Sequence, residues 1–143
     1  MYGEWRLSQI LGELEKSGLS LMVYRGDRII FSSDGKGIMP LLDAVDKIGR
    51  QGLRGTLVAD KIVGRAAALL ILYIHASEAH ASVISAGAKE VFEKHGMKFF
   101  FSRETTLVSG RDGVGLCPFE RLVAETLDPE EAYGKIKAKI SSI

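Results

Sequence analysis

One cysteine, three prolines, three histidines and a single tryptophan in 143 residues leave several kinds of chemistry out. A lone Cys117 excludes an internal disulfide and a multi-cysteine metal cluster, and it fits a reducing compartment. Charge of one sign is also missing. The 19 basic and 18 acidic residues give a net charge of +1, so bulk electrostatics do not draw the chain to nucleic acid or anionic lipid. Long apolar runs are absent: Ala66 to Ile74 spans nine residues, whereas a membrane-crossing helix needs roughly 20. Met1 to Glu15 carries Glu4, Arg6, Glu13 and Glu15 and has no continuous apolar core, unlike a signal peptide. The expectation is a cytoplasmic protein with no membrane segment and no nucleic-acid partner. His75 and His80 are five apart, a spacing that does not stack on one helix face. No second ligand cluster accompanies them, so neither a metal nor another cofactor is expected.

What is present is an ordinary globular composition, 46% hydrophobic and 26% charged, in a length that suits one domain over residues 1–143. Leu7, Ile10, Leu11 and Leu14 recur at helical spacing, which predicts an amphipathic helix over Glu4 to Lys16, with Gly18 as its stop. Leu19 to Tyr24 and Arg28 to Phe31 flank Gly26-Asp27 as a β-hairpin. Pro40 opens a helix whose face is Leu41, Leu42, Val45 and Ile48, ended by Gly49 and Gly52. Thr56 to Ala59 reads as a short strand, and a helix is expected to start at Asp60. Further along come a strand at Ala81 to Ile84, a helix at Gly87 to Lys94, a strand at Met97 to Phe101 and a loop from Ser102 to Leu116. A short helix at Pro118 to Glu125 follows. Asp128-Pro129-Glu130-Glu131 then combines a cap, a first-turn proline and two acids that suit a helix dipole, and starts the last helix. Helices alternate with strands after an opening hairpin. The predicted fold class is α/β, with a mixed sheet and helices on both faces. Right-handed crossovers place Asp60 near a sheet end, where such folds bind ligands.

Two stretches carry the chemistry. In the first, Asp60 is a good capping residue and Lys61 follows it, with Gly64 and Arg65 close behind. A lysine sits poorly at a positive helix end, and Gly64 would weaken a helix interior by about 1 kcal/mol relative to alanine. Both oddities suit a ligand at the helix start, where free N–H groups favour anions. Capping by Asp60 and tight packing at Gly64 explain them equally well without a ligand. The second stretch runs from Gly110 to Glu120 and includes Arg111, Asp112, Gly113, Gly115 and Cys117. Its glycines permit an anion-binding nest, although it is neither a Walker loop nor a dinucleotide fingerprint. Cys117, Pro118 and Glu120 fall at the N-cap, N1 and N3 positions of a capping box with cysteine in place of serine. A thiol there can become nucleophilic, but free cysteines are commonly buried and inert.

With Ala59-Asp60-Lys61-Ile62-Val63-Gly64-Arg65-Ala66-Ala67-Ala68, Val83-Ile84-Ser85, Glu93-Lys94-His95-Gly96 and Gly113-Val114-Gly115-Leu116-Cys117-Pro118-Phe119-Glu120, the chain resembles a small prokaryotic family. That family is catalogued as a domain of unknown function and grouped with the cytidine deaminase-like superfamily. The resemblance covers nearly the whole chain and implies a three-layer α/β/α fold. It also brings Ser85 among the ligand-binding candidates. Zinc deaminases use H-x-E on one helix and P-C-x-x-C at the start of the next. By order the Asp60 helix takes the first place and Ser85 to Lys89 the second, and neither carries the required residues. Zinc-dependent deamination is therefore not expected.

Three readings of function follow. The first is a non-catalytic module holding a small anionic metabolite or nucleotide between the Asp60 helix start and the Gly110–Glu120 loop. Its ligand-binding set is Asp60, Lys61, Gly64, Arg65, Ser85, Arg111, Asp112, Gly113, Gly115 and Glu120. The second is an enzyme with Cys117 as catalytic nucleophile. The third is a structural or interaction protein without a ligand, its marked residues being caps and packing positions. An open sheet edge at the hairpin is where a second copy would add to form a homo-oligomer.

Overall fold

The structure is a computed structural model that describes residues 2–106 and 117–142, with side chains from residue 9 onward. Its elements are α1 (Tyr2–Ser17), β1 (Leu21–Arg25), β2 (Arg28–Ser33), α2 (Met39–Ile48), α3 (Arg50–Leu53), β3 (Leu57–Val63), α4 (Arg65–Tyr73), β4 (Glu78–Ser85), α5 (Ala86–Lys94), β5 (Lys98–Thr105), α6 (Pro118–Leu122) and α7 (Pro129–Ser141). The five strands form one mixed sheet in the order β2-β1-β3-β4-β5. β1 is antiparallel to both of its neighbours, whereas β3, β4 and β5 are parallel. Consequently β2, β3, β4 and β5 all end on one edge of the sheet, and α2, α4 and α5 all begin there.

Strand alternation sorts the side chains into two cores. Met22 on β1 and Leu57 and Ala59 on β3 face α1 and pack with Ile10, Leu11 and Leu14. Leu21, Val23, Val58, Ala79 and Ala81 point the other way into the larger core, with α2, α4, α5 and α7. Helix α4 lies inside that layer. Every residue from Arg65 to Ile71 is buried, as a helix that is apolar nearly all round must be. It packs on α5 and α7 as well as on the sheet. Among the described residues no helix is long and apolar enough to cross a membrane.

At the opposite edge, Arg50 ties three helices together. Its Nε donates to the Tyr73 carbonyl at 2.9 Å, and Nη2 reaches Glu130 at 2.8 Å and His75 Nε2 at 3.3 Å. The guanidinium lies 3.9 Å from the centre of the Tyr73 ring, which stacks on Tyr133 at 4.1 Å. His75 is the described non-glycine residue with positive φ, 56°. It stands just past the end of α4, where glycine is usual.

The hairpin, the Pro40 helix and the Asp128 cap stand as the sequence predicts. Asp128 accepts from the Glu131 N–H at 3.0 Å, with Pro129 in the first turn. The stretch around Asp60 differs. β3 does not stop at Ala59 but runs on to Val63, so Asp60 is a strand residue and not a helix cap. Helix α4 begins at Arg65, with Gly64 in extended geometry as its N-cap rather than inside it. β4 and β5 are also longer than expected, because paired backbone continues through polar residues that carry no apolar signal.

Leu14 is 1% exposed and is the most buried α1 side chain in the smaller core. Leu14→Ala is expected to lower unfolding stability by about 2–4 kcal/mol, measured by urea denaturation. A loss below about 1 kcal/mol would show that α1 is not an integral layer.

Candidate functional site

The edge where α2, α4 and α5 begin is the one at which open α/β sheets bind ligands. Helix α4 starts without a side-chain cap of its own, yet its first N–H groups are buried and need acceptors. Glu120 supplies them from α6. The Arg65 N–H donates to Glu120 Oε1 at 2.8 Å and the Ala66 N–H to Oε2 at 2.7 Å. Burial pushes the Glu120 carboxyl above the usual range, while those two N–H groups and the Arg65 charge pull it partly back.

Arg65 completes the junction. Its Nε donates to the Val123 carbonyl at 2.9 Å and the Thr126 carbonyl at 3.1 Å, and Nη2 reaches Thr126 O at 2.7 Å. Nη1 stands 3.9 Å from Glu90 on α5. Ser85 ends β4 and caps α5, its hydroxyl accepting from the Ala88 N–H at 3.1 Å. A Cβ placed on Gly87 would lie 3.6 Å from Arg65 Cβ and 3.8 Å from Ser85 Oγ, so the starts of α4 and α5 adjoin. The two stretches singled out in the sequence therefore meet, through Arg65 and Glu120. They meet by direct bonding: the N–H groups that would attract an anion are filled by a side chain 55 residues away.

Asp60 behaves differently. It lies between Leu21 of β1 and Ala81 of β4, on the face of the larger core. Only 6% of it is exposed. No hydrogen bond or ion pair links it to Arg65, Ser85 or Glu120, and among the described residues no cation pairs with it. Burial raises its pKa from 3.8 to about 8, against a smaller opposing pull from the backbone N–H groups of Lys61 and Ile62.

Lys61 is exposed in β3, and its N–H donates to Ser20 O at 2.9 Å. Cys117 stands at the N-cap of α6, partly exposed and without a side-chain capping bond. The capping box read there does not form, because Glu120 turns to α4 instead of back to its own helix start. Arg111, Asp112, Gly113 and Gly115 lie outside the described residues. Val123, Thr126 and Glu90 were not legible as site residues, since two of them act through backbone carbonyls. The three histidines are spread over separate contacts, His75 with Arg50, His80 with Glu78 and His95 with the Leu127 carbonyl. No group of three or more metal-ligating side chains occurs among the described residues.

Comparison with known proteins adds kinship without an activity. A family model described as TM1506, domain of unknown function (DUF1893), matches residues 9–140. The chain is similar to the crystal structure of a DUF1893 family protein (TM1506) from Thermotoga maritima, with 38% identity and a TM-score of 0.84. That alignment covers 93% of this chain and 88% of that one. No curated protein matches the chain.

The geometry predicts two stability effects. Asp60 holds its proton more tightly folded than unfolded, so the native state is favoured at low pH and loses stability as pH rises from about 4 to about 8. Asp60→Asn stays neutral throughout. Its stability should gain on the wild type by about 1.4 kcal/mol per pH unit across that window, in urea unfolding series from pH 4 to pH 9. A difference that does not change with pH would contradict the burial of an ionisable acid. Glu120→Ala orphans two buried N–H groups and should cost about 2–4 kcal/mol. Glu120→Gln, with one acceptor oxygen for two donors, should recover little of it in the same assay.

Proposed function

The chain belongs to the TM1506 family, a domain of unknown function (DUF1893), and within it we propose a non-catalytic module that binds a small metabolite where β3, β4 and β5 end. The observation that carries this reading is Asp60. An acid buried in an apolar wall, with no cation paired to it among the described residues, costs the fold several kcal/mol at neutral pH, and an asparagine of the same shape would avoid most of that cost. Such perturbed groups concentrate at functional sites, and stability is commonly given up there. Ser85 and Gly64 flank the same sheet edge, and Arg111, Asp112, Gly113 and Gly115 remain part of the proposed ligand set from the sequence.

The reason for expecting an anion is weaker than the sequence suggested. Asp60 is not at a helix start, and Glu120 already occupies the N–H groups of α4. We keep the deaminase-like fold as part of the proposal: a mixed sheet between helical layers supports it, and the single cysteine leaves no P-C-x-x-C for zinc.

A second reading, a structural or interaction protein, draws on the internal bonding of Arg65, Ser85 and Glu120. The Cys117 enzyme reading has less support, because its thiol makes no hydrogen bond to a base among the described residues.

A thermal-shift panel of nucleosides, amines, amino acids and phosphosugars separates the first two readings. A ligand at a hundred times its Kd adds about 2.7 kcal/mol to stability. The proposal expects at least one class to raise the Tm of the wild type and not of Asp60→Asn. A blank panel, or a shift of equal size in both proteins, would favour the structural reading.

A further inference from the structure

The buried ionisable groups at this edge are not equally partnered. Asp60, Arg65 and Glu120 are 6%, 9% and 8% exposed. Glu120 is met by two N–H groups, the positive end of α4 and the Arg65 charge. Arg65 is held by three bonds to carbonyls and lies near Glu90. Asp60 has its two adjacent backbone N–H groups and, among the described residues, no counter-ion. A buried carboxylate either keeps its proton or is paired, so a partner for the ionised form of Asp60 is positive.

Resting on the small-ligand reading above, we propose that the ligand class is a small cation rich in N–H groups, a guanidinium or amidinium, with Asp60 as its counter-ion. A carboxylate takes two parallel N–H bonds from such a group. A guanidinium is also more weakly hydrated than an ammonium, so it enters an apolar wall such as that of Leu21 and Ala81 at lower cost. The positive start of α4 does not oppose it, because Glu120 covers those N–H groups. An anionic ligand would meet a second buried carboxyl at Asp60 and no unspent buried cation among the described residues.

Isothermal titration of the full chain with methylguanidinium chloride, tetramethylammonium chloride and inorganic phosphate, at pH 6, 7 and 8, tests this. Methylguanidinium should bind the wild type, with apparent affinity rising about tenfold from pH 6 to pH 7 as binding releases one proton. Tetramethylammonium, a cation without N–H groups, should not bind. Asp60→Asn, which is expected to fold at least as stably as the wild type, should lose the methylguanidinium heat. Absence of that heat, its persistence in Asp60→Asn, or an affinity independent of pH would overturn the inference. Phosphate binding in place of methylguanidinium would overturn the cation class while leaving the small-ligand reading intact. Silence from all three salts together with a blank thermal-shift panel would remove both.

Discussion

Burying helix α4 whole is the constraint on which much of this molecule depends. A helix packed against α5, α7 and the sheet cannot leave its first N–H groups to water. Its own sequence offers only Gly64 as a cap. The chain solves this at long range. Glu120 reaches Arg65 N and Ala66 N, and the Arg65 side chain binds the carbonyls of Val123 and Thr126. One junction thus satisfies the helix start and fixes the segment between α6 and α7 against the sheet edge. Removing the Glu120 carboxylate orphans two buried N–H groups, and removing the Arg65 guanidinium orphans the Val123 and Thr126 carbonyls, which is what makes the junction costly to break.

Against that economy of pairing, Asp60 stands out. Arg65, Ser85 and Glu120 are explained by the bonds they make within the fold. Asp60 makes none to another side chain among the described residues, although it sits two strands from either sheet edge and among apolar neighbours. The position is three residues short of the end of β3, on the side of the sheet where α4 begins. Location and chemistry point the same way: this is the edge at which α/β sheets bind ligands, and a buried acid with a raised pKa is a poor choice for stability alone.

Local signals were legible in the sequence and remote ones were not. The hairpin around Gly26-Asp27, the Pro40 helix and the Asp128-Pro129 helix start follow from residues within a few positions of each other, and each is present. Ser85 as a cap depends on an N–H only three residues on. By contrast, Asp60 has the residue type of a helix cap, and only the pairing of Leu21 and Ala81 on either side shows that the chain is still a strand there. Glu120 sits where a capping box would place it, yet its partner lies 55 residues earlier. Arg65 gives no sequence sign that its acceptors are backbone carbonyls. Of the residues singled out in the sequence, the structure brings Arg65, Ser85 and Glu120 together, and the roles of Arg65 and Glu120 depend on contacts distant in sequence.

Whether burial holds the proton on Asp60 can be read directly from its side-chain carboxyl carbon by NMR titration of the ligand-free protein. A midpoint near 8 is expected. A midpoint near 4, the ordinary value for an exposed aspartate, would contradict it and leave the sheet edge without its distinguishing group.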